Sequence, residues 1–294
     1  MKGANMIKVV ADTLSCLSPA RAKELGVAYL PQIIIFGEES YRDDTEMTPS
    51  QFLKRLASSS ALPKTAAPPP HLYTPIYREL LDQGHTVVVL TPPADVSGTY
   101  SRAKVAAEEF PGADIHVVDT QVIAGGLGAL VTQAVEWAKE ADAQKLDTEK
   151  FIDRVTEMAS RHRVYFVVDT LEYLYKGGRI GAAKALFGSI LQVKPILTFK
   201  DGHIEPFESQ RTHKRAVSRL KEVVLSDCPR DPSAHLCVMH GNAEEEAKQL
   251  AAEFAALLGI PAADIPIYEV PPAILVHAGP GVLAVSYFVQ PGQP

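Results

Sequence analysis

The chain has 294 residues, 46% of them hydrophobic and 22% charged, enough for two ordinary domains with substantial cores and too apolar for a disordered chain. A formal net charge of −6 argues against the basic face that nucleic acid requires. Three cysteines, Cys16, Cys228 and Cys237, form no C-x-x-C pair, which argues against a zinc ribbon and suits a reducing compartment.

Residues 1–10 lack the apolar core and small-residue cleavage site of a signal peptide, so the expected location is the cytoplasm. Apolar runs are broken by Gly, Pro or charge well short of the roughly 20 residues that span a bilayer. Ile7–Val10 reads as a buried parallel strand running into the polar loop Asp12-Thr13-Leu14-Ser15. Val27–Phe36 reads as a second strand, and Pro49–Leu56 as a short amphipathic helix capped by Thr48. Leu62–Pro70 is too proline-rich for regular structure; it is either a linker or a loop stiffened to hold Thr65.

Helices are expected over His71–Gln83, Ser101–Phe110, Ile123–Glu140 and Thr148–Arg161, with strands at Thr86–Leu90 and Ile115–Val118. This alternation implies a parallel sheet covered on both faces, a three-layer α/β domain over residues 1–163. From 164 to 294 the pattern changes. Tyr165–Val168 is a strand, Ala182–Leu191 looks helical, and Lys194–Phe199 with Ile204–Glu208 form a hairpin about Asp201-Gly202. Helices at Thr212–Leu225 and Ala243–Leu258, a strand at Ala234–Met239 and three short strands near the end complete an α+β domain with a largely antiparallel sheet.

Three polar segments fall where strands should end, the usual place for ligands in α/β sheets. Asp95-Val96-Ser97-Gly98-Thr99-Tyr100 sets two hydroxyls about a glycine at a helix start, which suits either an anion seat or plain N-capping. Gly177-Gly178-Arg179-Ile180-Gly181 allows tight turns and a displayed guanidinium, for an anion or for solvent. His277-Ala278-Gly279-Pro280-Gly281 puts a histidine beside a turn between two strands, able to donate to an anion or to serve the fold alone. Ser97 and His277 together also suggest a serine hydrolase or acyltransferase, but Ser97 lacks the G-x-S-x-G elbow. Gly125-Gly126-Leu127-Gly128 misses G-x-G-x-x-G and suits close helix packing, and no H-E-x-x-H spacing suggests a metal.

Taken in order, these segments resemble the DegV family along nearly the whole chain. Its opening loop is matched by Asp12-Thr13-Leu14-Ser15, and its P-x-T-S-Q-P loop in part by Pro63–Pro68. S-G-T-Y is matched by Ser97-Gly98-Thr99-Tyr100, and D-T-L-x-x-L-x-K-G-G-R-I closely by Asp169–Ile180. Lys194-Pro195-Ile196-Leu197 and the H-x-G-P-G turn at His277–Gly281 complete the series. The departures are Ala66, Asp95 and Ala278, which lower the hydroxyl count or add a charge.

The resemblance implies a non-catalytic lipid carrier with a long-chain fatty acid in a buried tunnel at the domain interface. It puts the carboxylate contacts on Thr65, Ser97 and His277, with Gly98 and Thr99 as the supporting loop. It also implies a separate kinase subunit that phosphorylates the acyl carboxylate, with Arg179 assigned to that partner, and no cofactor or metal. Burying an acyl chain gains about 0.8 kcal/mol per methylene, so about ten methylenes outweigh the several kcal/mol of carboxylate desolvation. The competing expectations are the hydrolase and a binder of another small anion.

Overall fold

The computed structural model describes residues 6–144, 147–187 and 193–292, with side chains through residue 140 in the first of these. The chain divides into two compact units, Met1–Glu46 with Thr65–Ser160, and Met47–Lys64 with Arg161–Pro294.

In the first unit, β1 (Ile7–Asp12) and α1 (Pro19–Leu25) lead to β2 (Ala28–Leu30). Pro31 ends that strand, so the single strand expected over Val27–Phe36 is two, β2 and β3 (Ile33–Phe36). β3 pairs antiparallel with β4 (Glu39–Arg42). The next helix, α2 (Pro49–Ser58), starts with a full capping box between Thr48 and Gln51. The sequence reading gives this segment to the N-terminal domain; it groups instead with the second unit.

The proline-rich stretch contains a three-residue strand, β5 (Lys64–Ala66), beside β3, so it is more than a linker. Its prolines bring the chain directly to α3 (Pro70–Asp82), where Pro70 occupies the first turn that lacks amide partners anyway. β6 (Thr86–Thr91), α4 (Thr99–Ala107), β7 (Ile115–Asp119), α5 (Ala124–Gln144) and α6 (Thr148–Ser160) follow. The main sheet is wholly parallel in the order β2-β1-β6-β7. Val10, Val87 and Val89 meet Tyr73 and Tyr77 of α3 and Ala103 and Ala106 of α4, while α5 packs on β1. A β carbon at Gly128 of α5 would collide with the Ser15 carbonyl, which shows why glycine stands where α5 presses on the loop after β1.

The second unit continues with β8 (His162–Val167), α7 (Glu172–Lys176), β9 (Lys194–Lys200) and β10 (His203–Gln210). Gly181–Leu186 is a 3-10 turn; the rest of the helix expected to Leu191 lies outside the described residues. The hairpin turns on Asp201 and Gly202, both at positive φ (49° and 79°), which matches the right-handed twist of its strands. α8 (His213–Asp227), β11 (Cys237–His240), α9 (Glu244–Leu258), β12 (Ile267–Glu269), α10 (Pro272–Ala278) and β13 (Leu283–Phe288) complete it. The sheet order is β10-β9-β8-β13-β11-β12, antiparallel except for the β11–β12 pair. α8 and α9 cover one face through Leu220, Val224, Leu250 and Phe254.

One of the three short strands expected near the end is instead α10, so His277 lies in the last turn of a helix. Pro272 at its first turn starts a helix readily, and the apolar run after it is too short for periodicity to separate strand from helix. α10 packs against α2, which accounts for the grouping of Met47–Lys64 with this unit.

Candidate functional site

The expected site residues fall into two clusters, one in each unit. In the first unit they gather at the carboxyl ends of the parallel strands. Asp12 ends β1 and is 1% exposed. Its Oδ1 accepts from the Leu14 amide (3.0 Å), and its Oδ2 accepts from Gln32 Nε2 (2.6 Å) and Thr99 Oγ1 (2.9 Å). Thr99 thus spends its only proton on Asp12. Its lone pairs face Gln32 Nε2 at 3.0 Å and Ser97 Oγ at 3.0 Å. Ser97 therefore donates to Thr99 and accepts the Thr99 amide at 3.3 Å.

A second buried carboxylate lies one step further. Asp43 accepts from Thr13 Oγ1 (2.8 and 2.9 Å) and from the Gln32 amide (2.8 Å), and that amide also reaches Thr13 Oγ1 (3.1 Å). Burial pushes the Asp12 carboxyl up to about 6 and the Asp43 carboxyl to about 7, against the donors just named, which pull the other way. Gln32 and Asp43 escape sequence reading. The one signal is a polar residue in the apolar run Leu30–Phe36, next to the proline that breaks it.

Ser97 is half-buried, and its proton rests on a neighbour that already accepts from Gln32. It can turn to an incoming oxygen anion while Thr99 keeps the Gln32 bond. Asp95 is exposed. Gly98 has ordinary negative φ, and a β carbon there would touch Ala67 at 3.4 Å, so the Ser97 turn lies against the loop that follows Thr65. Thr65 itself is half-buried at the centre of β5. Among the described residues Ser97 Oγ bonds to Thr99 alone.

In the second unit, the two glycine-bearing segments interlock. A β carbon at Gly177 would overlap His277 Nδ1, one at Gly279 would enter the Tyr173 ring, and one at Gly281 would overlap the Asp169 carboxylate. Gly279 and Gly281 also need positive φ (76° and 83°), so each is fixed by backbone and space together. Gly177 has φ −76°, so only the imbalance of space requires it. Arg179 is half-buried rather than displayed, and its Nη1 donates to the Gly177 carbonyl at 2.8 Å. Burial, then the Arg179 charge, hold His277 down at about 4. At neutral pH it is an uncharged imidazole that offers one N–H. Nearby, Tyr175 and Phe187 stack at 4.0 Å while remaining 43% and 37% exposed. No group of His, Cys, Asp and Glu among the described residues could hold a metal ion, and no helix there is long and apolar enough to cross a membrane.

The family model described as an uncharacterised protein of the DegV family matches residues 6–290. The chain belongs to the DegV family. A DegV domain-containing protein of Halalkalibacterium halodurans is 33% identical over 285 residues, covering 97% of this chain and 99% of that one. Protein DegV of Bacillus subtilis is 32% identical over 250 residues, covering 85% and 88%. Among solved structures, a DegV family protein from Thermus thermophilus, described for its fatty acid binding, superposes with a TM-score of 0.88 at 30% identity, covering 97% of this chain and 100% of that one. DegV from Bacillus subtilis, described as a fatty acid binding protein, superposes with a TM-score of 0.84 at 30% identity and the same coverage. The mixed α/β architecture, with one parallel and one mixed, largely antiparallel sheet, is that of these DegV structures.

Proposed function

We propose that this chain binds a long-chain fatty acid in a buried tunnel and presents its carboxylate to a separate fatty-acid kinase, which makes the acyl phosphate. The observation that carries the reading is the Ser97–Thr99–Asp12 chain of hydrogen bonds, together with relatives described as fatty acid binding. Thr65, Ser97 and His277 are assigned to the carboxylate, with Gly98 and Thr99 behind Ser97.

A neutral His277 suits this role. It donates a hydrogen bond without the full salt bridge that would make release to a kinase slow. The Thr99 amide holds the Ser97 oxygen at 3.3 Å, so only the hydroxyl proton turns on binding. Arg179 is assigned to the kinase contact, supported by the exposed Tyr175–Phe187 stack in the same segment. The hydrolase reading has no observation of its own: the Ser97 hydroxyl donates to Thr99.

The test is ligand extraction. Protein purified from cells and denatured is expected to release long-chain fatty acid by mass spectrometry, in near-stoichiometric amount. Release of none, with no uptake of oleate or palmitate afterwards, would end the proposal. Arg179→Ala is expected to keep lipid while losing kinase-dependent acyl-phosphate formation; loss of both counts against the division of roles.

A further inference from the structure

The second unit has a depression of about 520 Å³ at the head of α9 that the fatty-acid reading does not use. Its lining includes five carboxylates and no lysine or arginine: Asp169, the consecutive Glu244, Glu245 and Glu246, and Glu269. Lys194 reaches Asp169 (3.4 Å), Lys248 reaches Glu244 and Glu245 (2.9 and 3.0 Å), and His213 reaches Glu246 (2.9 Å). Glu269 has no ion pair among the described residues.

An imidazole lies at the same place. His240 lines the depression and is only 6% exposed. Its Nδ1 is buried with no hydrogen-bond partner. Strand alternation puts its side chain on the same face as Val238, which packs with Leu250 and Phe254 of α9, so the ring points toward the head of that helix. Parallel register sets Glu269 of β12 directly beside it. A buried ring nitrogen in this position, beside carboxylates and lacking a hydrogen-bond partner, marks an unfinished site rather than a packed core.

We propose that this depression binds a small organic cation carrying two or more ammonium groups, held by Glu269 and Glu244 beside His240. A bare metal ion fits poorly: the space is far larger than an ion, and no group of metal-binding side chains converges among the described residues. Carboxylates spread around the walls match separated positive charges instead, and each ammonium offers three donors to them. The positive end of the α9 dipole offsets part of the field at the three first-turn glutamates, which leaves Glu269, on a strand, as the strongest single contact. The proposal is independent of lipid binding.

The experiment is titration of spermidine into the full chain by calorimetry at physiological ionic strength, with sodium chloride of matched ionic strength as control. Saturable 1:1 binding is expected, weakened roughly tenfold by Glu269→Gln. His240→Asn is expected to weaken it as well, and Glu149→Gln, an exposed acid elsewhere, to leave it unchanged. The proposal is overturned by a response that sodium chloride reproduces, by equal weakening in the Glu149 variant, or by unchanged affinity in the Glu269 variant. Saturable zinc binding without spermidine binding also overturns it. Exposed Glu269 is expected to tolerate substitution without loss of fold, which circular dichroism checks.

Discussion

Gly177 lies under the His277 ring, with no room for a methyl group between them. The backbone at Gly177 is ordinary, so alanine there meets a limit of space alone: its methyl group would press on the His277 ring and on the Tyr173 carbonyl, 2.9 Å away. Gly177→Ala is therefore a way to move His277 without altering it. Displacement of a fluorescent fatty acid is expected to show at least about tenfold weaker binding, with a loss of about 1–3 kcal/mol in stability from overpacking. Unchanged lipid affinity in a protein that has lost that stability would remove His277 from the carboxylate site.

His277 also carries a titration test. Its pKa is held at about 4, so protonation is costly in the free protein. An oleate carboxylate alongside would stabilise the protonated ring, and its pKa is expected to rise by about one unit or more on binding. NMR of the ring nitrogens against pH, with and without oleate, measures this. An unmoved titration counts against direct contact.

Ser97 and Thr99 should separate function from fold. Ser97→Ala removes a half-buried hydroxyl, with an expected cost below about 1 kcal/mol and a marked loss of lipid affinity. Thr99→Val keeps the shape but takes a donor from buried Asp12 and an acceptor from Gln32. Its expected cost is about 1–3 kcal/mol, read from the urea midpoint. Equal stability losses in the two variants would contradict this assignment.

The two buried carboxyls give a pH dependence with a definite sign. In the unfolded chain both titrate near about 4. In the folded chain Asp12 and Asp43 hold protons up to about 6 and about 7. Between these limits the folded state binds more protons, so their contribution to stability falls as pH rises. His277 and His162, held at about 4 and about 3 by burial, act in the opposite direction below about 6.5. The clean measurement is thus a difference: between about pH 5 and pH 8 the wild type should lose on the order of 1–3 kcal/mol relative to Asp43→Asn. Parallel stability curves for the two proteins would refute it.

Much of this was open to sequence reading because its causes are local. Asp201-Gly202 forms its turn because both residues accept positive φ, and Thr48 caps α2 because Gln51 stands three residues on. The Ser97-Gly98-Thr99 turn was legible as a polar break after an apolar strand. Gln32 was not, because its partners at Asp12, Asp43 and Thr99 are distant in sequence and no spacing rule connects them. The seam of Gly177, Gly279 and Gly281 was half legible. The glycines stood out, but the side chains they make room for belong to the opposite segment.

The place of α2 has a consequence for how the chain is made. Its Phe52 and Leu56 are buried, and α10 (Pro272–Ala278), against which it packs, comes far later in the sequence. On the ribosome that contact must wait until α10 has emerged. Such long-range closure slows folding, and a nascent chain halted near Ser160 would lack the helix that α2 packs against.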